Sequence, residues 1–178
     1  MPQTMKFDQA AHPFPMIRAG GLFVMLIGAG IVVGALLGAA HIVAPLLAGA
    51  VAALFSLSVF RRRLTAPLGQ PTRRQRRILF LSITLEMLLC GLVAYVLRNA
   101  PARVFWLWIL VAVGAHFLML ARAQGPLLLV LGLLCIVNAA LGLWQASIPF
   151  LVCWFIDGAL KIITGGWMFW RQPRWRIG

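Results

Sequence analysis

The chain has 178 residues, of which 62% are apolar and 11% are charged, and its mean hydropathy is +0.96. Soluble globular domains are about half apolar and a quarter charged, so this composition excludes an ordinary soluble domain and indicates a protein embedded in lipid. Sixteen Lys and Arg residues against three Asp and Glu give a net charge of +13. The basic residues stand mainly at the ends of apolar runs, as in membrane proteins, so we expect membrane lipids and no nucleic acid as partners.

The first 18 residues form a polar tail, and an almost unbroken apolar run then extends from Ala19 to Phe60. A single helix of that length would be about 60 Å long, twice the thickness of the hydrocarbon layer. The run must therefore fold back on itself, and the weak point between His41 and Pro45 predicts the turn. Because the run is longer than the apolar region of a signal peptide, we expect its first helix to be retained.

An arginine-rich segment, 61–77, follows the first two helices. Its seven arginines are Arg61, Arg62, Arg63, Arg73, Arg74, Arg76 and Arg77. Cytoplasmic loops of membrane proteins are enriched in Lys and Arg, so we expect this loop and both chain ends in the cytoplasm, with the arginines contacting lipid headgroups. That orientation leaves Arg98 and Arg103 outside, against thirteen basic residues inside.

Polar or proline-containing breaks near 98–103, 122–126 and 145–149 divide the rest of the chain into four more apolar segments. The sequence therefore predicts an all-α, polytopic transmembrane bundle of six helices arranged as three hairpins. This bundle occupies 19–170, between an N-terminal tail of 1–18 and a C-terminal tail of 171–178, in a bacterial inner membrane. The expected helices are 20–40, 43–60, 78–97, 104–121, 126–145 and 149–170.

Glycines recur at every fourth position of the first helix, at Gly30, Gly34 and Gly38. Small residues at this spacing line up on one helix face and let another backbone approach closely. We expect this face to pack within the chain. Packing between two copies is the alternative, which leaves a homo-oligomer open.

Two of the three acidic residues, Glu86 and Asp157, fall inside predicted helices. Each is expected to cost at least ~2.5 kcal/mol at the centre of a membrane, and such residues often mark a proton or substrate path. Lys161 follows Asp157 by four residues, which is the favourable order for an ion pair on one helix face. The residues expected at overlapping depths, roughly 9 to 20 Å from the inner boundary, are Glu86, His116, Asn138, Asp157 and Lys161.

Two carboxylates near one lysine leave a negative charge that a proton on His116 or on a carboxylate would balance. Three interpretations stay open: a satisfied polar core, a proton-linked transport or sensing site, and an intramembrane catalytic site. The sequence has no H-E-x-x-H, G-x-S-x-G or phosphate-binding glycine motif, which favours a protein that is not an enzyme. His41 and His116 lie too far apart in depth to share a haem, and the cysteines lack metal-site spacing, so we expect no cofactor and no metal.

One stretch of the fourth helix, Gly114-Ala115-His116-Phe117-Leu118-Met119-Leu120-Ala121, resembles the G-x-H-F-x-P-L-A stretch of small uncharacterised six-helix bacterial membrane proteins. Met119 stands at the proline position, and Glu86 in the preceding helix suits that group. This resemblance implies a six-helix membrane protein without an established activity. From the residues themselves, the preferred interpretation is a small proton-linked carrier or permease for a small molecule or ion that the sequence does not name.

A second stretch, Ile156-Asp157-Gly158-Ala159-Leu160 running out to Trp170-Arg171, resembles the hairpin ends of HdeD-like acid-resistance membrane proteins. This resemblance implies a non-catalytic protein that supports stress or acid tolerance through helix packing and assembly with partners. Carrier and stress protein are therefore the two alternatives for function.

Overall fold

The computed structural model describes residues 13–65 and 68–170, and throughout these ranges the fold is helical. Six helices within them are long and apolar enough to cross a membrane, so the predicted all-α, six-helix fold is confirmed and the chain is a multi-pass membrane protein. The helices are α1 (Ile17–Leu37), α2 (Val43–Thr65), α3 (Arg73–Val96), α4 (Ala102–Gln124), α5 (Leu127–Trp144) and α6 (Phe150–Trp170). The predictions for residues 1–12, 66–67 and 171–178, and for the side chains of Arg61, Arg62 and Arg63, lie outside the described residues.

The start of α3 is set by local capping chemistry rather than by the limit of the apolar run. A capping box opens α3: the Thr72 hydroxyl accepts from the Gln75 backbone N–H at 3.2 Å, and the Gln75 side chain accepts from the Thr72 N–H at 2.9 Å. As a result, α3 begins at Arg73. Since α2 also extends to Thr65, the connection is shorter than the expected loop of 61–77. Hydropathy indicates which residues lie in the hydrocarbon layer, but a helix can continue beyond that layer into the headgroup region.

The helices differ in how deeply they are packed. The first and last helices, α1 and α6, share the most extensive interface, followed by α4 with α5. In the described residues α2 packs mainly against α1 and α3 mainly against α4, which gives the order α2, α1, α6, α5, α4, α3 across the bundle. We call α1, α4, α5 and α6 the inner helices, and α2 and α3, most of whose side chains are exposed, the outer helices.

Two apolar clusters fill the space between the inner helices. One, which includes Phe117, Leu128 and Met168, lies toward the end of the bundle at which α3 begins. The other, which includes Leu107 and Trp154, lies toward the opposite end. Polar side chains occupy the level where the two clusters meet, about halfway along the helices.

Candidate functional site

The centre of α6 carries a fully buried ion pair. The ammonium of Lys161 contacts Oδ2 of Asp157, and neither side chain has any exposed surface. Lys161 Nζ also lies 3.9 Å from Sγ of Cys135 on α5 and 5.8 Å from the ring centroid of Phe117 on α4. The lysine is thus enclosed by a carboxylate, a thiol and an aromatic face, all of which favour a cation.

Close contact between α1 and α6 covers this ion pair on one side. A Cβ added at Gly158 would lie 2.8 Å from the carbonyl oxygen of Gly28, and one at Gly28 would lie 2.7 Å from that of Gly158. Gly21 and Gly165 meet in the same way. They lie seven residues from Gly28 and Gly158, nearer the end of the bundle at which α3 begins. Because these four positions have no side chain, the two backbones approach closely and exclude lipid from Asp157 and Lys161.

A second polar pair joins α3 to α4. Nε2 of His116 lies 3.6 Å from Oε2 of Glu86, with 30% of the Glu86 side chain exposed against 8% for His116. The His116 ring packs on Phe117 with 4.3 Å between ring centroids. The Ser82 hydroxyl donates to the His116 carbonyl oxygen at 3.0 Å. The imidazole is therefore held by its neighbours, whereas the carboxylate of Glu86 is partly open on the side of α3.

The two pairs interact across the bundle. Lys161 acts electrostatically on both Glu86 and His116, although no hydrogen bond between the pairs is found among the described residues. Of the five residues expected in one cluster, Lys161 thus interacts with three others, Glu86, His116 and Asp157. Asn138 differs, since its amide donates to the Cys153 carbonyl oxygen at 2.7 Å and so joins α5 to α6.

The described part of the site contains a buried polar atom without a hydrogen-bond partner, but its side chains are not grouped as metal ligands. Oδ1 of Asp157 is buried and has no hydrogen-bond partner among the described residues. Nowhere in 13–65 and 68–170 do three His, Cys, Asp or Glu side chains come together as a metal ion would require. What the arrangement offers chemically is a carboxylate and an imidazole that can share a proton beside a compensated lysine.

The glycines expected to pack on one face have two different environments. A Cβ at Gly30 would lie 2.4 Å from the carbonyl oxygen of Pro45, and one at Gly34 would lie 3.1 Å from Cα of Ile42, so both positions are covered by the start of α2. Gly38 instead ends α1 with φ of +93°, and a Cβ there would meet no atom within 4 Å. Gly38 therefore permits the turn to α2 and does not contribute to packing.

The arginines expected on the cytoplasmic side surround the α2–α3 connection. Arg73, Arg74, Arg76 and Arg77 are exposed in the first turns of α3, and the helical part of α2 includes positions 61–63.

Sequence reasoning missed several residues that hold the site together. In the sequence, Cys135 and Ser82 are ordinary residues of apolar helices. Their contacts with Lys161 and His116 become visible only once the neighbouring helices are known. Arg103 donates from its guanidinium to the carbonyl oxygens of Ala146 and Gln145, at 2.5 and 2.8 Å, and to that of Gly142, which caps the end of α5. A signal did exist for the α1–α6 contact, because each of these helices carries two glycines seven residues apart.

Comparison with known proteins gives a family but no activity. None of the curated proteins and none of the solved structures matches the chain. One family model, described as a family of unknown function (DUF6609), matches residues 8–177. A match of this length covers all six helices described above. The chain therefore belongs to the family of unknown function DUF6609.

Proposed function

We propose that the protein is a small proton-linked carrier in a bacterial inner membrane, with both termini in the cytoplasm. In this proposal, Glu86 takes up and releases the proton that drives transport. The observation that carries it is the 3.6 Å approach of Glu86 to His116 halfway along α3 and α4, with the carboxylate partly exposed. Ionisable residues at this depth usually face a substrate or ion path.

The charge balance of the four polar residues supports a role in proton uptake. Two carboxylates, on Glu86 and Asp157, and one ammonium, on Lys161, leave one negative charge while His116 is neutral. A net charge inside the hydrocarbon layer is costly, so binding one proton lowers the free energy of the site. Binding a cationic substrate in place of the proton would have the same effect. Exchange of the two at one site is the basis of coupled transport.

The difference in exposure between the two carboxylates supports assigning the proton to Glu86. Asp157 is fully buried and contacts Lys161, so its charge is already compensated. Glu86 lies on an outer helix that packs mainly against α4, and 30% of its side chain is exposed. A helix with few buried contacts moves at lower cost than a core helix. Movement of α3 would therefore open or close access to Glu86.

Reconstitution in liposomes that contain a pH-sensitive dye tests this proposal. We expect a set of cationic and neutral solutes to include at least one whose addition moves protons through the wild-type protein. Glu86→Gln should abolish that coupling, while Glu86→Asp, which keeps a carboxylate, should retain part of it. Proton movement of equal size in Glu86→Gln would overturn the assignment of Glu86.

A stress-tolerance role without transport is the second proposal, and the enclosed ion pair favours it. Asp157 and Lys161 have no exposed side-chain surface and lie beside the glycine contact of α1 and α6, as expected of a structural element. The Asp157-Gly158 resemblance to HdeD-like proteins points the same way. Partners or further copies would then assemble on the exposed faces of α2 and α3, since Gly30 and Gly34 are covered within the chain.

Complementation of a deletion strain under acid stress separates the two proposals. If the role is structural, Glu86→Gln should restore growth fully, whereas Gly158→Leu, which blocks the α1–α6 contact, should not. If the role is transport, Glu86→Gln should fail even when the variant protein reaches wild-type levels in the membrane.

A further inference from the structure

A cleft of about 1140 Å³ lies at the end of the bundle where α3 begins. It is bounded by the start of α3, the end of α4, the start of α5 and the segment that precedes α1. Its lining combines two arginines, Arg74 and Arg122, with apolar side chains that include Ile78, Leu118 and Leu129. A site of this composition suits a ligand with an anionic head and an apolar body.

In 13–65 and 68–170, no carboxylate forms an ion pair with either of the two arginines. The whole chain has three acidic residues, and two of them, Glu86 and Asp157, are engaged halfway along the bundle. The third, Asp8, lies outside the described residues. Among the residues described, no carboxylate lines this cleft, so its two arginines are available to an anionic ligand.

The backbone of α3 adds to the positive potential of the cleft. A helix N-terminus carries a partial positive charge, so basic residues in the first turn are unfavourable unless an anion is bound nearby. Arg73 and Arg74 occupy that turn, which contains no acidic residue. A phosphate between Arg74 and Arg122 would relieve this repulsion and accept charge-assisted hydrogen bonds from both guanidinium groups.

The cleft is formed by fixed elements of the fold. The Gln75 side-chain amide donates to the Pro13 carbonyl oxygen at 2.7 Å and so ties the segment before α1 to α3. The side-chain oxygen of Gln75, Oε1, accepts from the Thr72 backbone N–H in the capping box. The ring of Phe14 lies against Gly125, 3.5 Å from where a Cβ would stand, at the turn between α4 and α5. Preorganisation of this kind lowers the entropic cost of binding.

We propose that this cleft binds one anionic phospholipid, whose phosphate lies between Arg74 and Arg122 and one of whose acyl chains runs along Ile78, Leu118 and Leu129. The apolar side chains extend from the arginines toward the middle of the bundle, as an acyl chain does from its headgroup. A soluble phosphate would use the arginines and leave this apolar wall without a function. The site is independent of the proton-linked role of Glu86.

Native mass spectrometry of the purified full-length protein tests the site, with phosphatidylglycerol and phosphatidylcholine as the two probes. Wild type should retain phosphatidylglycerol in preference to phosphatidylcholine. Loss of two charge-assisted contacts in Arg74→Gln/Arg122→Gln should weaken phosphatidylglycerol binding roughly tenfold or more. The matched control, Arg73→Gln/Arg77→Gln, removes the same charge from the start of α3 outside the cleft lining and should stay within about twofold of wild type. Equal loss in both double variants would overturn a discrete site.

Two further measurements on the wild-type protein do not depend on the folding of any variant. A phosphatidylglycerol with a photoreactive acyl chain should label the start of α3, the end of α4 and the start of α5, and uniform labelling of all exposed helices would overturn the proposal. Glycerol 3-phosphate, added as a competitor, should displace little of the lipid. Full displacement by glycerol 3-phosphate at equal concentration would mean that the cleft recognises a soluble phosphate instead of a lipid.

Discussion

The two carboxylates at the middle of the bundle occupy opposite kinds of environment. Asp157, on an inner helix, contacts Lys161 one turn away and is closed off from lipid by the glycines of α1 and α6. Glu86, on an outer helix, has its nearest partner, His116, on the next helix at 3.6 Å and keeps 30% of its side chain exposed. Similar chemistry is therefore used differently. The buried pair, within α6, is compensated inside the core, whereas the open pair joins two helices and is the one to which we assign proton exchange.

Removing Lys161 should have the largest effect on stability, because it leaves the Asp157 charge buried without a partner. We expect Lys161→Met to lower the free energy of unfolding by about 3–5 kcal/mol, measured by denaturation in detergent micelles. The double variant Asp157→Asn/Lys161→Met, which leaves no charge, should recover much of this loss. A single variant as stable as wild type would show that the ion pair does not hold the core.

Adding a side chain at the contact between α1 and α6 should have the next largest effect on stability. In Gly158→Ala the new Cβ would lie 2.8 Å from the Gly28 carbonyl oxygen, and the helices must separate to admit it. We expect a loss of about 1–3 kcal/mol in the free energy of unfolding, by the same measurement.

Gly91→Ala is the matched control for the glycine contact. A Cβ at Gly91 on the outer helix α3 would meet no atom within 4 Å. Alanine there should be neutral or raise stability by up to about 1 kcal/mol through helix propensity. Equal destabilisation by the two variants would contradict the distinction between inner and outer helices.

The sequence predicts those features that depend on residues close together in the chain, and it does not predict contacts between helices. Bilayer thickness determines the length of an apolar helix, so the six helices are predictable from hydropathy, and the spacing of Asp157 and Lys161 within one helix predicts their contact. Neighbouring helices are not predictable in this way, because helices in lipid are apolar on most faces and lack a single buried stripe. The pairing of Gly28 with Gly158 and the contact of Lys161 with Cys135 therefore require the structure. The start of α3 differs from the expected 78 for another reason, because the Thr72–Gln75 capping box lies before the apolar run and begins the helix at Arg73.

The attachment of α3 to α4 can be weakened without touching a charge. Ser82→Ala removes the hydrogen bond to the His116 carbonyl oxygen and should cost about 0.5–1.5 kcal/mol in unfolding free energy. In the same variant, the rate of hydrogen exchange of the α3 backbone amides should rise. Thr84→Val is the control, since the Thr84 hydroxyl bonds to Phe80 within its own helix. If both variants behave alike, the Ser82 contact does not hold the outer helix in place.

Glu86→Gln should have the smallest effect on stability and the largest on proton exchange. Because the Glu86 oxygen lies 3.6 Å from His116, beyond hydrogen-bond distance, replacing its charge with a neutral amide should lower the free energy of unfolding less than Lys161→Met or Gly158→Ala does. The same variant should lose the infrared signal of a carboxyl group that gains a proton on acidification, while Asp157→Asn should keep that signal and lose stability. A Glu86→Gln protein that is as unstable as Lys161→Met would mean that both carboxylates are structural. The distinction between a buried pair that holds the core and an open pair that exchanges a proton would then fail.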